Sequence, residues 1–405
     1  MGVACADGRE GGSPSVVKGF ERDIEELGRE LRGGLGAADI RQLHATEWAG
    51  RLCTLLGLAT AWIVPNPISI FLIAQGKMAR FFIGHHVLHG AYDRVPGIPE
   101  RFTRKKFGRG ARRFVDWLDW WDLEDWSYTH NQLHHPFTQS PMDADLMPPR
   151  PDRPLPAFLG YALFAFATLT WKFSYYAPRM HRERVDRDRG IVRRTPHQMS
   201  AADVLDPREA AVRQLWLRDY LPFVAITIAL PTAAAALIAP WAAWSVLVNI
   251  VLAELLHNAQ TFICIRPSHC AGDIPLFENV YGSREDFFLQ SVLGTVNYPG
   301  GGRFQDFLHG WTNYQIEHHL WPTLPLHRYR CARPRVMAIC ARHGVPYRQG
   351  SVFLRFIKAA RLFAEVDSQT TYTTAQSLEV LRRETSGTHP ASDFAAPPAL
   401  SAKTV

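Results

Sequence analysis

Charge-free apolar stretches alternate with dense basic ones along this chain. Residues 52–76 carry no charged side chain and are interrupted at Pro65-Asn66-Pro67. The pattern predicts a tight hairpin of two helices, about 46–64 and 67–88, each near the roughly 20 apolar residues that a bilayer span needs. Residues 215–265 predict a second hairpin turning near Pro240, with spans about 215–238 and 241–265 and only Arg218, Asp219 and Glu254 charged inside it. A further apolar stretch, 155–178, is rich in aromatic rings, among them Phe158, Tyr161, Trp171 and Tyr175.

Basic residues flank that further stretch on both sides. Before it lies Arg101–Arg113, reading RFTRKKFGRGARR; after it, residues 179–194 hold seven Arg. Cytoplasmic flanks carry such excess Lys and Arg, so both ends face the same side and the stretch cannot cross once. It is expected as an interfacial helix, with its Tyr and Trp rings near the headgroups. The predicted fold is an all-α integral membrane protein: four transmembrane helices in two hairpins, with a cytoplasmic helical cap holding a di-metal site. Three regions follow: a polar cytoplasmic segment 1–44, a membrane domain 45–365, and a C-terminal tail 366–405 whose end, rich in Ala, Pro, Ser and Thr, is expected to be partly disordered. Both termini and the active side are expected in the cytoplasm, at the inner membrane if the source is bacterial.

Composition narrows the chemistry. The 405 residues carry a net charge of +7, but the basic residues sit beside apolar runs, which fits a membrane protein better than a nucleic-acid binder. No secretory signal is visible, and Met1-Gly2 is not read as a myristoylation signal because Ala6 stands where Ser or Thr is needed. The six Cys form no C-x-x-C pair, which argues against a disulfide framework or a Cys zinc site. There are 17 His, and most are clustered.

Three clusters carry the signal: His85-His86-Val-Leu-His89, His130-Asn-Gln-Leu-His134-His135, and Gln315-Ile-Glu-His318-His319. Helical residues four apart share a face, so His85 and His89 converge, as do His130 and His134. His135 and His319 sit about 100° further round and can reach a second metal. Imidazoles at these spacings suit a pair of transition metals with open positions for oxygen. His86 lies off the shared face. Glu254-Leu-Leu-His257-Asn258 adds His257 as one more candidate ligand near the inner end of the last span. Its Glu-x-x-His is a half-motif of soluble di-iron bundles, but it occurs once, so that carboxylate site is not expected. His269 and His309 are left outside the ligand set, and His44, His181, His197, His343 and His389 read as surface residues.

The pattern H-x3-H, H-x3-HH, Q-x-x-HH resembles the membrane fatty acid desaturases, and Asn313-Tyr-Gln-Ile-Glu-His-His-Leu-Trp-Pro322 resembles the front-end type. The resemblance covers roughly residues 45–360. It implies four spans, a cytoplasmic cap, two non-haem irons and an acyl tunnel, with His85, His89, His130, His134, His135, His318 and His319 as iron ligands. Gln315 stands where many relatives have a His, Asp143 and Asp145 match a recurrent acidic pair, and His257-Asn258 matches a further His-Asn. Front-end relatives often carry a fused cytochrome b5 domain with a His-Pro-Gly-Gly motif. Here only Tyr298-Pro299-Gly300-Gly301 is present, so a separate electron donor of ferredoxin or cytochrome b5 type is expected.

The implied activity is an O2-dependent fatty acyl desaturase acting on a membrane-associated substrate. The cofactor would supply the oxidant, and the protein binding, orientation and exclusion of water. Imidazole ligands need an acceptor at their second ring nitrogen, for which Asp143, Asp145 and Glu317 are candidates; His86, Asn258 and Gln315 are further candidates as ligands or supports. A lipid hydroxylase, acetylenase or ketolase would use the same constellation. A histidine-rich metal transporter would instead need polar residues along its spans.

Overall fold

The structure, a computed structural model, describes residues 17–146, 156–191 and 200–387. The expectations for His197, for His389, and for the chain before residue 17 and after residue 387 lie outside these residues. The described chain is almost entirely helical. Helix α1 spans Phe20–Gly33, α2 Ala37–Ala61 and α3 Pro67–Leu88. Asn66 starts α3 as its N-cap, accepting from the Ser69 N–H at 2.8 Å, with Pro67 in the first helical position, where a missing N–H costs nothing. α2 and α3 lie close because small residues face each other: a Cβ on Gly76 would sit 2.0 Å from Thr54 Oγ1.

Residues 90–122 then form an irregular, Trp-rich segment. Trp117, Trp121 and Trp126 are fully buried, and a Cβ on Gly84 of α3 would meet the Trp117 ring at 2.2 Å. Helix α4, Leu123–Tyr128, is capped by Asp122 and runs into a π turn, Thr129–His134, and a 3-10 turn, His135–Phe137. Helices α5, Ala157–Trp171, and α6, Ala177–Asp188, are joined by the π turn Lys172–Tyr176. α6 presses its polar face inward. His181, expected at the surface, is buried with its Nδ1 2.9 Å from Asp125 Oδ2, and Arg184 pairs with the same carboxylate.

Helices α7, Ala210–Ala236, and α8, Pro240–Ile265, follow. Among the described residues, Ala210–Ala236 and Pro240–Ser268 are the two helices long and apolar enough to cross a membrane by length and composition. Glu47 and Arg51 dilute the apolar run of α2, as Gln75, Lys77 and Arg80 do in α3. The α2–α3 turn is pinned to α8: the Asn66 N–H donates to Asn249 Oδ1 at 2.9 Å, and Ser245 Oγ to the Ala61 carbonyl at 2.7 Å.

Five further helices, α9 (Arg284–Leu293), α10 (Gln315–Leu320), α11 (Arg328–Arg342), α12 (Val352–Phe363) and α13 (Thr374–Gly387), build a cap. A two-stranded parallel pairing of Leu276–Phe277 with Thr371–Tyr372 ties its end down. The segment read as a polar N-terminus contributes here. Phe20, Ile24, Leu27 and Leu31 recur at helical spacing and are buried in the cap core with Leu320, Val336 and Leu378. Likewise α13 brings Leu378 and Leu381 of the expected tail into that core. His343 is held by Asp23 at 2.9 Å, and His44 is half-buried beside Glu47.

Candidate metal centre

The end of α3, the π turn after α4, the 3-10 turn after α8 (Arg266–Ser268) and helix α10 meet at one place, and each brings histidine. His85, His89, His130 and His318 form one group and His134, His269 and His319 a second; in each, the candidate ligand atoms lie within 4.8 Å of one another. His135 sits between them. Its Nε2 is 3.2 Å from His130 Nε2, and its ring stacks on His319 with centroids 4.4 Å apart. A third group joins His130 and His134 to Asp145.

The ring orientations show what the groups are suited to hold. His85 Nε2 faces His318 Nε2 at 3.1 Å, and His269 Nε2 faces His319 Nε2 at 2.7 Å. The outer nitrogens are fixed from behind. His318 Nδ1 meets the Tyr329 hydroxyl at 3.1 Å, His319 Nδ1 the Thr138 hydroxyl at 3.0 Å, and His134 Nδ1 Asp143 Oδ1 at 2.8 Å. His89 Nε2 is buried with no hydrogen-bond partner among the described residues. Nitrogen lone pairs turned toward one another in a dry interior fit cations between them, and the supports behind set the tautomers. The donor set, nearly all imidazole, suits first-row transition metals.

Electrostatics agree. Burial and neighbouring imidazoles hold His135, His318 and His319 well below the usual range, and burial pushes His130 to about 4 and His269 to about 3. These rings are neutral at pH 7, as ligation requires. His134 differs. Burial opposes its charge, but Asp143 and Asp145 outweigh that and hold it above the usual range.

The other sequence candidates fall in different places. Asp145 lies 3.8 Å from His134 Nδ1 and 3.9 Å from His130 Nδ1, and accepts from Arg179 at 2.5 Å. His86 turns back on its own helix, donating from Nδ1 to the Phe82 carbonyl at 2.9 Å. Gln315 is buried on α10, one turn before His318. Glu317 does not support an imidazole: its carboxylate accepts from Tyr347 at 2.6 Å and Asn297 at 2.8 Å. His257 lies outside the histidine groups, its Nε2 accepting from the Lys172 ammonium at 3.1 Å, and Asn258 donates to Glu254. The reason is helix length. α8 continues about two turns, roughly 12 Å, beyond His257 before it ends at Ile265, and the residue that arrives at the centre is His269. Sequence reasoning passed over His269 because it stands alone, without a partner at helical spacing. Its only signal was its place just after a long apolar helix.

Comparison with known proteins places this geometry in context. The family model for fatty acid desaturase matches residues 51–351. An NADPH-dependent stearoyl-CoA 9-desaturase of Mycobacterium tuberculosis is 25% identical over 370 residues, covering 86% of this chain and 80% of its own. An acyl-lipid (9-3)-desaturase of Physcomitrium patens is 31% identical over 123 residues, 30% of this chain and 22% of its own. Fatty acid desaturase 3 of Bos taurus is 54% identical over 44 residues, 11% of this chain and 10% of its own.

Proposed function

The chain belongs to the membrane fatty acid desaturase family, an oxygen- and di-iron-dependent oxidoreductase class, and on that premise we propose how its own residues carry the reaction. His85, His89, His130 and His318 would hold one iron and His134, His269 and His319 the other, with His135 between the two histidine groups. The carrying observation is the convergence of imidazoles from four separate segments, with Nε2 atoms facing inward and their supports behind. When bound, the iron pair supplies oxygen activation. The balance is one O2, two electrons and two protons in, two hydrogens taken from adjacent methylenes, and two waters and a carbon–carbon double bond out.

The rest of the chain orients and excludes. Asp143, Thr138 and Tyr329 fix ring orientation through the outer nitrogens. Trp126 packs 4.5 Å from His130 and 5.0 Å from His85, centroid to centroid, and helps keep the interior dry. His257 belongs to a buried ionic cluster rather than to the ligand set. Electrons come from a separate carrier of ferredoxin or cytochrome b5 type. Exposed Arg104, Lys105 and Lys106 offer an acidic donor a docking surface. The named relatives act on stearoyl-CoA and acyl lipids, and the substrate here is read as a long fatty acyl chain on such a carrier.

The membrane arrangement is part of the same proposal: four spans, α2, α3, α7 and α8, with α5 lying at the cytoplasmic interface. Exposed Leu52, Leu55 and Leu56 on α2 and Leu230 on α7 support it. So do Trp62, Trp241 and Trp244, which ring the turn ends as interfacial aromatics do. α5 packs on the last two turns of α8 through Phe164 against Phe262 and Trp171 against the Asn258 carbonyl.

Expression in a desaturase-deficient host, followed by fatty-acid profiling, tests the function. A new monounsaturated or further unsaturated species is expected, and it should vanish in His134→Ala and His318→Ala. Metal analysis of protein purified with its metal retained should return about two irons per chain. Full activity with zinc alone would overturn the assignment.

A further inference from the structure

Arg179 is buried on α6, and its Nη2 donates to Asp145 Oδ1 at 2.5 Å. Its guanidinium carbon lies 5.6 Å from the ring centroid of Tyr175 and 5.1 Å from that of Tyr176. A guanidinium kept from water is costly unless it is paired, and Asp145 supplies the pair. Asp145 is held on two further sides. Its N–H donates to Asp143 Oδ1 at 2.8 Å, and its carbonyl accepts from Arg266 at 2.5 Å, on the 3-10 turn that leads to His269.

The free oxygen of this carboxylate faces the histidines. Asp145 Oδ2 lies 3.9 Å from His130 Nδ1 and 3.8 Å from His134 Nδ1. His134 Nδ1 already has Asp143 at 2.8 Å, whereas His130 Nδ1 is buried with no hydrogen-bond partner among the described residues. A His130 that turns its Nε2 lone pair to a metal carries its proton on Nδ1, and a buried N–H needs an acceptor. Asp145 is the carboxylate beside it, about 1 Å short of hydrogen-bonding distance. His130, His134 and Asp145 are close enough together for a cation of their own, but Asp143 occupies His134 and Arg179 already brings the positive charge. We propose that Arg179 is a positioning residue for the metal centre: by holding Oδ1 and offsetting the carboxylate's charge, it aims Asp145 Oδ2 at His130 Nδ1 and so secures the tautomer that leaves Nε2 for the metal. This rests on the ligand role read above for His130.

The test is the ferrous iron affinity of the full-length protein in neutral detergent, measured without oxygen against a chelator, beside its thermal midpoint. Wild type is expected to hold about two irons per chain. Asp145→Asn, which keeps the shape but accepts more weakly, and Arg179→Gln should each bind iron about tenfold more weakly or worse. Arg179→Gln also strands a buried carboxylate, so its thermal midpoint should fall. The double variant separates the two roles. A merely structural pair predicts that removing both charges restores stability and iron affinity together. A positioning role predicts that stability returns while affinity stays at the level of Asp145→Asn, because the acceptor is still missing. Arg179→Lys, which keeps a charge against Oδ1, should recover most of the affinity lost in Arg179→Gln. Affinity restored in the double variant, or wild-type affinity in either single variant of a protein that holds two irons, would overturn the proposal. A wild type that holds no iron would overturn the ligand assignment itself, and the proposal with it.

Discussion

Asp143 reaches His134 with one carboxylate oxygen at 2.8 Å and accepts the Gln139 backbone N–H with the other at 2.8 Å. The acid that orients the imidazole is thereby locked to the turn that follows the second histidine cluster. Asp143→Asn keeps the shape but removes the charge that favours an N–H at Nδ1. Activity and iron content are expected to fall by about 10- to 100-fold, read by product analysis and metal content together. Unchanged iron binding would show that Asp143 is a turn residue only.

His269→Ala should abolish turnover and lower bound iron, because its Nε2 is 2.7 Å from that of His319. His309→Ala is the control: its Nδ1 donates to the Gln305 carbonyl at 2.9 Å, and it belongs to neither histidine group. Loss of activity in both variants, or in neither, would remove His269 from the centre.

Lys172 is fully buried; its ammonium donates to Asp119 at 2.6 Å and to His257 at 3.1 Å and lies over the rings of Phe81 and Trp121. Lys172→Met strands Asp119 in a dry interior, at about 3–5 kcal/mol, and the thermal midpoint in detergent should drop by ~5 °C or more. Removing both charges, as in Lys172→Met with Asp119→Leu, should recover much of the loss. A single variant as stable as wild type would mean that water already reaches the cluster.

A Cys at exposed position 190 reads the topology. In a Cys-free background, Gly190→Cys is expected to resist an impermeant thiol reagent on intact cells and to react after lysis. Labelling from outside would place the Arg-rich end of α6 across the bilayer and overturn the four-span reading.

How far these features were legible in the chain depended on whether local periodicity carried them. His85 and His89 are four apart on a regular helix, and the structure puts them in one group with His130 and His318. His130 and His134 were read as an α-helical pair, but they sit on a π turn and divide between the two groups, which spacing alone could not reveal. His269 and the burial of His181 were invisible because both depend on contacts far along the chain, with His319 and Asp125 respectively. The helical stripe of Phe20, Ile24, Leu27 and Leu31 was present in the sequence, but the many charges between those residues masked it.

His85 and His318 are separated by 233 positions. At roughly 5–20 residues per second of synthesis, the first histidines are made on the order of 10–50 seconds before the last ones emerge. Throughout that interval α3 must hold its apolar and imidazole faces without their final partners. Metal can therefore enter a complete site only at the end of biosynthesis. A full-length chain without metal therefore precedes every metallated one, and iron loading follows synthesis rather than accompanying it.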